Sequence, residues 1–189
     1  MATYSTSEFK NGIKILIDGQ PYQMVYFQFV KPGKGTAFTR TKLKNLITGA
    51  VIERTFRSGE KVDVADCEEV TMQYMYQEGD MYNFMNMETY DQVGIPEDVI
   101  DYESKWLLDG MEVAVMMYNA RPVGLTLPNF VEAEVTHTEP GVKGNTATGA
   151  TKPATICNGA VVQVPLFIEQ GETLKVDTRE GGRYVSRAN

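Results

Sequence analysis

The sequence predicts an all-β protein made of three small barrels in series. Short runs rich in β-branched and aromatic residues recur along the chain, bounded by Gly, Pro, Asn or Asp. Only one stretch carries a helical apolar period. The charge changes abruptly twice: residues 1–64 carry ten Lys/Arg and five Asp/Glu, residues 65–128 two and thirteen, and residues 129–189 six and seven. The net values of +5, −11 and −1 place the expected domain boundaries near residues 64 and 128.

In the first segment, "IKILI" and "YQMVYFQFV" read as strands, with "DGQP" between them as turn material. "TAFTRTKLKNLI" alternates in part, and "TGA" leads into "VIERTF". In the second segment, "VTMQYMY" and "MYNFMNM" form a hairpin across "QEGD". "PEDVIDYESKWLLDGM" then reads as the one helix. Val99, Tyr102, Trp106 and Leu107 share a face, Pro96 suits the first turn and Gly110 the end, and Trp106 reads as a core residue. "MEVAVMMY" and "PVGLTLP" follow as strands around "NARP". The third segment offers "NFVEAEVTHTE", a Gly/Thr-rich loop, then "AVVQVPLFI", "ETLKVDT" and "GRYVSR". Segments this short have marginal cores, so neighbours are expected to pack together, the first and second above all.

Composition narrows the function. Hydrophobic residues make up 42 % of the chain, which suits a folded protein. The N-terminal stretch "MATYSTSEFK" has no apolar core of a signal peptide, and no apolar run approaches the ~20 residues that span a bilayer. A cytoplasmic location follows as the expectation. Cys67 and Cys157 have no CxxC partner and read as ordinary thiols. His137, the one histidine, reads as a solvent-facing strand residue. No nucleophile or metal motif accompanies it, so no catalytic residue is expected.

"KPGKGT" stands out between two strand-like runs, one ending at Val30 and one starting near Thr36. Pro32 stiffens the entry, and Gly33 and Gly35 permit positive φ and clear bulk from both sides of Lys34. The hairpin tip should therefore present Lys34 alone, with Lys31, Arg40, Lys42 and Lys44 adding positive charge behind it. A nucleotide-binding P-loop needs a lysine followed by Ser or Thr and a helix; here a glycine and a strand follow.

"FVKPGKGTAF", with "TKLKNLITG" and "VIERTF", resembles bacterial translation elongation factor P. "KWLLDGMEVAVMMYNARPVGLTLPNFVE" extends the likeness through the middle. "PGVKGNTATGATKPATICNGAVVQVPLFIEQGETLKVDTREGGRYVSR" follows the family's C-terminal signature at Lys152, Ala154, Gly159, Val164 and Pro165. The resemblance implies an L of three β-barrels: an SH3-like (KOW-like) domain over 1–64, a central OB fold over 65–128 and a C-terminal OB fold over 129–189. It implies a factor, not an enzyme, that binds the ribosome between the peptidyl-tRNA and exit sites and relieves stalling at consecutive prolines. It further implies a monomer that contacts both ribosomal subunits and peptidyl-tRNA, but neither DNA nor membrane.

No cofactor is implied, but Lys34 matches the tip lysine that many members extend covalently. β-Lysylation by a lysyl-tRNA-synthetase-like ligase is the leading form; one lysine-tipped branch carries an aminopentanol group instead. The arginine-tipped, rhamnosylated branch does not fit a lysine. Pro32, Gly33 and Gly35 support that loop, and Lys31, Arg40, Lys42 and Lys44 would meet RNA phosphates. Gly144, Asn145 and Thr146 match the family's small-subunit loop, with Asn145 where Asp is usual. Tyr184 and Arg187 match its C-terminal aromatic and arginine, although "EGGRY" departs from the commoner "GEY". The rival is a general OB-fold RNA-binding protein. That reading needs basic residues among the aromatics, and the middle segment has only Lys105 and Arg121.

Overall fold

The computed structural model describes residues 2–141, 149–157 and 159–188, which are nearly all β. Two compact units divide the chain: Met1–Glu69 with Met116–Gly124, and Val70–Val115 with Leu125–Asn189.

The first segment holds β1 (Thr3–Ser5), β2 (Lys14–Ile17), β3 (Gln20–Val30), β4 (Phe38–Asn45), β5 (Val51–Arg57) and β6 (Lys61–Val64). They form one sheet in the order β1-β6-β2-β3-β4-β5. Asp18 and Gly19, at φ +52° and +77°, make the β2–β3 turn, the two-residue form whose twist matches paired strands. Gln20 and Pro21, read from sequence as turn, instead open β3 and pair with Ile17 and Leu16. The concave side closes over Phe9, Ile13, Ile15, Ile17, Met24, Leu43 and Phe56. Phe9 meets Phe56 edge to face at 5.3 Å, the favoured aromatic geometry.

The middle segment holds β7 (Cys67–Glu78), β8 (Met81–Asn86), β9 (Gln92–Pro96), α1 (Asp101–Ser104), β10 (Glu112–Tyr118) and β11 (Arg121–Thr126). Their sheet order is β11-β10-β7-β8-β9. Gly79 and Asp80 close β7 onto β8, with Glu78 opposite Met81. The expected long helix is corrected here: within this stretch only α1 is helical, Pro96 ends β9 instead of opening a helix, and Ile100 at the N-cap gives no side-chain cap. Burial is met without it, since Ile100, Trp106 and Leu107 are each buried.

The third segment holds β12 (Phe130–Thr138), β13 (Thr151–Ile156), β14 (Ala160–Pro165), β15 (Thr173–Asp177) and β16 (Arg183–Arg187), in the order β14-β13-β12-β15-β16. β13 occupies part of the stretch that the sequence presents as a Gly/Thr-rich loop. Its core includes Val131, Val135, Ile156, Val162, Leu174 and Val176, together with Trp106 from the middle segment. Gly182 makes room for that tryptophan: at φ +90°, a Cβ there would overlap Cζ2 and Cη2 of the indole. The Tyr102 hydroxyl donates to the Thr178 carbonyl beside it.

Candidate functional site

The β3–β4 hairpin carries the candidate site. Its ladder ends with Val30 opposite Phe38, so residues 31–37 form the loop, and the second strand starts two residues later than the sequence suggests. Lys34 lies at the bend and is exposed, as are Lys31, Gly33 and Gly35, while Pro32 is half-buried. The two glycines differ. Gly35 takes φ +110°, a conformation that needs glycine; Gly33 does not enter the left-handed region. A side chain on Gly35 would come within 3.9 Å of the Pro32 ring. No salt bridge among the described residues involves Lys31 or Lys34.

Strand alternation sorts β4 into two faces. Thr39, Thr41, Leu43 and Asn45 are buried, and Arg40, Lys42 and Lys44 are exposed. The Thr41 hydroxyl donates to the Arg54 carbonyl at 2.6 Å, and the Asn45 amide donates to Gln20 Oε1 at 2.7 Å. On the outer face, Lys42 lies 5.7 Å from the Tyr26 ring centroid and Arg40 5.9 Å from that of Phe38. Their neighbours on β5 are Thr55 beside Arg40, Glu53 beside Lys42 and Val51 beside Lys44. Arg57 stands opposite Phe38 and joins this face. Sequence reasoning missed it; continuing the alternation of "VIERTFR" to its last residue would have found it. The result is a face of four cations and one carboxylate behind an exposed lysine tip, with aromatic rings between, which suits a phosphate backbone.

The C-terminal candidates lie in the other unit. Gly144, Asn145 and Thr146 fall outside the described residues. Tyr184 is half-buried and packs against the third core. Arg187 is exposed, but its guanidinium is engaged: it pairs with Glu172 at 3.0 Å, lies 4.6 Å over Phe167 and donates to the Phe167 carbonyl at 3.4 Å. Lys152 of the C-terminal signature is buried, and its Nζ donates to the Glu139 carbonyl at 2.6 Å. Asp177 accepts both the backbone N–H of Arg179 and a forked pair from its guanidinium at 2.9 and 2.7 Å, which holds the carboxyl down at about 2.

His137 is an exposed strand residue 3.5 Å from Glu139, and burial pushes the Cys67 thiol up. Among the described residues, no cluster of His, Cys, Asp and Glu could hold a metal ion, and no helix is long and apolar enough to cross a membrane.

Three small β domains follow one another in sequence, the first with a lysine-tipped cationic hairpin, and comparison with known proteins identifies the family as one of translation factors. The elongation factor P KOW-like domain matches residues 5–62, the elongation factor P OB domain residues 67–125, and the elongation factor P C-terminal domain residues 131–187. The chain belongs to the elongation factor P family. Among solved structures it is similar to the eukaryotic translation initiation factor 5A from Methanococcus jannaschii, at 25 % identity and a TM-score of 0.53, covering 67 % of this chain and 94 % of that one. An eif-5a family protein from Naegleria fowleri gives 17 % identity and a TM-score of 0.48, with 67 % and 98 % covered.

Proposed function

We propose that this translation factor binds the ribosome between the peptidyl-tRNA and exit sites and restores peptide-bond formation where consecutive prolines stall it. The observation that carries the reading is Lys34, exposed at the bend of residues 31–37 with the cations of β4 behind it. Arg40, Lys42, Lys44 and Lys31 hold the phosphates of peptidyl-tRNA and ribosomal RNA. The C-terminal domain, through residues 144–146, Tyr184 and Arg187, faces the small subunit. The working protein is a cytoplasmic monomer with three sequence domains bounded near residues 64 and 128, the second lending Trp106 to the core of the third.

The action is positioning. Proline runs are stiff and extended, so they hold the peptidyl ester away from attack geometry. Ordering the acceptor end of the tRNA returns it, and orientation of this kind is worth several kcal/mol without any proton passing through the factor. Lys34 becomes active when a lysyl-tRNA-synthetase-like ligase adds β-lysine, which lengthens its reach and adds donors.

The test is translation of a triproline reporter beside a proline-free control, with modified protein, unmodified protein, Lys34→Ala and Lys34→Arg. Only the modified protein should rescue the triproline reporter, because arginine keeps the charge but lacks the amine that is extended. Rescue by Lys34→Ala equal to that of modified protein would sink the reading.

A further inference from the structure

Strand alternation puts Lys152 on the core side of β13, in line with Ala154 and Ile156. It is a charged residue at a core position, only 8 % exposed. An ammonium carries three donors, and among the described residues Lys152 Nζ uses one, on the Glu139 carbonyl at 2.6 Å. A carbonyl satisfies a donor but does not neutralise a charge. None of the ion pairs among the described residues involves Lys152, and residues 142–148 contain no Asp or Glu. A buried ammonium without a counter-ion is unfavourable, so this group points to an anion from outside.

Space for one lies beside it. Lys152 lines a cavity of about 620 Å³, a volume that suits a small organic ligand. Its walls include Pro140, Leu166, Phe167 and Ile168, which are apolar. Gly141 lets two wall segments meet, since a Cβ there would stand 2.8 Å from the Leu166 carbonyl oxygen. Phe167 is 58 % exposed, so the apolar wall reaches the surface.

The remaining groups set the charge of the ligand. Glu139 and Glu169 also line the cavity, both exposed, with Glu139 3.5 Å from His137. Two carboxylates around one ammonium repel each further negative charge, which favours a monoanion over a phosphate dianion or a nucleic-acid backbone. The apolar walls favour an apolar body. We propose that this cavity binds an organic carboxylate with an apolar substituent, the carboxylate on Lys152 Nζ and the substituent against Leu166, Phe167 and Ile168.

The test titrates the isotope-labelled full chain, wild type and Lys152→Met, with N-acetyl-leucine, its neutral amide and uridine monophosphate, read by amide chemical shifts. N-acetyl-leucine should bind wild type with a dissociation constant of about 1 mM, as suits so small a ligand, with the shifts centred on residues 166–170. The amide, which lacks the charge, and Lys152→Met, which lacks the ammonium, should each weaken binding about tenfold or more. The thermal midpoint of Lys152→Met should hold or rise, because an apolar side chain in place of an unpaired buried charge is neutral to stabilising. Equal binding of acid and amide, equal binding by wild type and Lys152→Met, tighter binding of uridine monophosphate than of the acid, or no saturable binding in the millimolar range would each overturn the proposal. Should Lys152→Met fail to fold, the comparison of acid with amide on wild type decides alone. The assay contains no ribosome, so its failure is distinct from failure of the translation reading.

Discussion

Gly182→Ala should destabilise the protein far more than Gly181→Ala, although the two glycines are neighbours with nearly equal φ. Gly181 has φ +86° and open space where a Cβ would go; Gly182 has φ +90° and the Trp106 ring there. Alanine at either site meets a positive φ, a backbone strain of about 1–3 kcal/mol, and ψ +126° takes Gly182 outside the left-handed helical region. At Gly182 the methyl must also displace a rigid indole that is 1 % exposed and sealed in the third core. Overpacking of that kind adds about 1–3 kcal/mol, centrally about 2. In a chain of this length that difference lowers the midpoint by roughly 4–8 °C beyond Gly181→Ala. Thermal unfolding followed by circular dichroism, and by fluorescence of the single tryptophan, measures it. Repeating both substitutions in a Trp106→Phe background should narrow the gap, because the ring atoms that collide are gone. Equal stability of Gly181→Ala and Gly182→Ala with Trp106 present would refute the reasoning.

Two further outcomes follow from local chemistry. Asp177 has its folded pKa held at about 2 by Arg179, below the ordinary carboxylate value of about 4. A depressed pKa contributes stability above the unfolded value and loses it as pH falls, so the contribution should fade between pH ~4 and ~2. Urea midpoints at pH 5 and 2.5 should fall further for wild type than for Asp177→Asn, and parallel falls would count against the pairing. Ala120 forms the β10–β11 turn with Asn119, both exposed, at φ +60° and +49°. Ala120→Gly should therefore stabilise the chain by about 0.5–1 kcal/mol, after allowance for the greater unfolded-state freedom of glycine; a lower denaturation midpoint would contradict this.

Strands were legible where a turn residue punctuated an apolar run, as at Asp18–Gly19 and Gly79–Asp80. The helix was overread because apolar spacing of three and four residues also buries side chains along a wrapped turn, and Ile100, Trp106 and Leu107 are buried that way. β13 lies in the stretch that reads as a Gly/Thr-rich loop, and Pro153 within it also argues against a strand. Its carbonyl accepts from the Thr138 hydroxyl, so the missing N–H faces the same neighbour, β12. That ladder ends one residue earlier, at Ala154 opposite Thr138, so no bond is lost. At the site, alternation made the β4 cations readable, and local turn chemistry made Lys34 readable. The engagement of Arg187 by Glu172 was not readable, because a pairing fifteen positions apart depends on how β15 and β16 register.

The tryptophan of the middle segment has a consequence for how this protein can be divided. Sequence comparison separates residues 67–125 from 131–187 as text. As matter they do not come apart there. A fragment beginning at residue 129 would keep Val131, Leu174 and Val176 around an indole-shaped void, and would also lose Met111 and Leu127, which pack against the same cluster. A fragment ending at residue 128 would turn its tryptophan out into water. The stretch that sequence comparison delimits is smaller here than the unit that packs, and transplanting the third segment onto another protein would require carrying a piece of the second along with it.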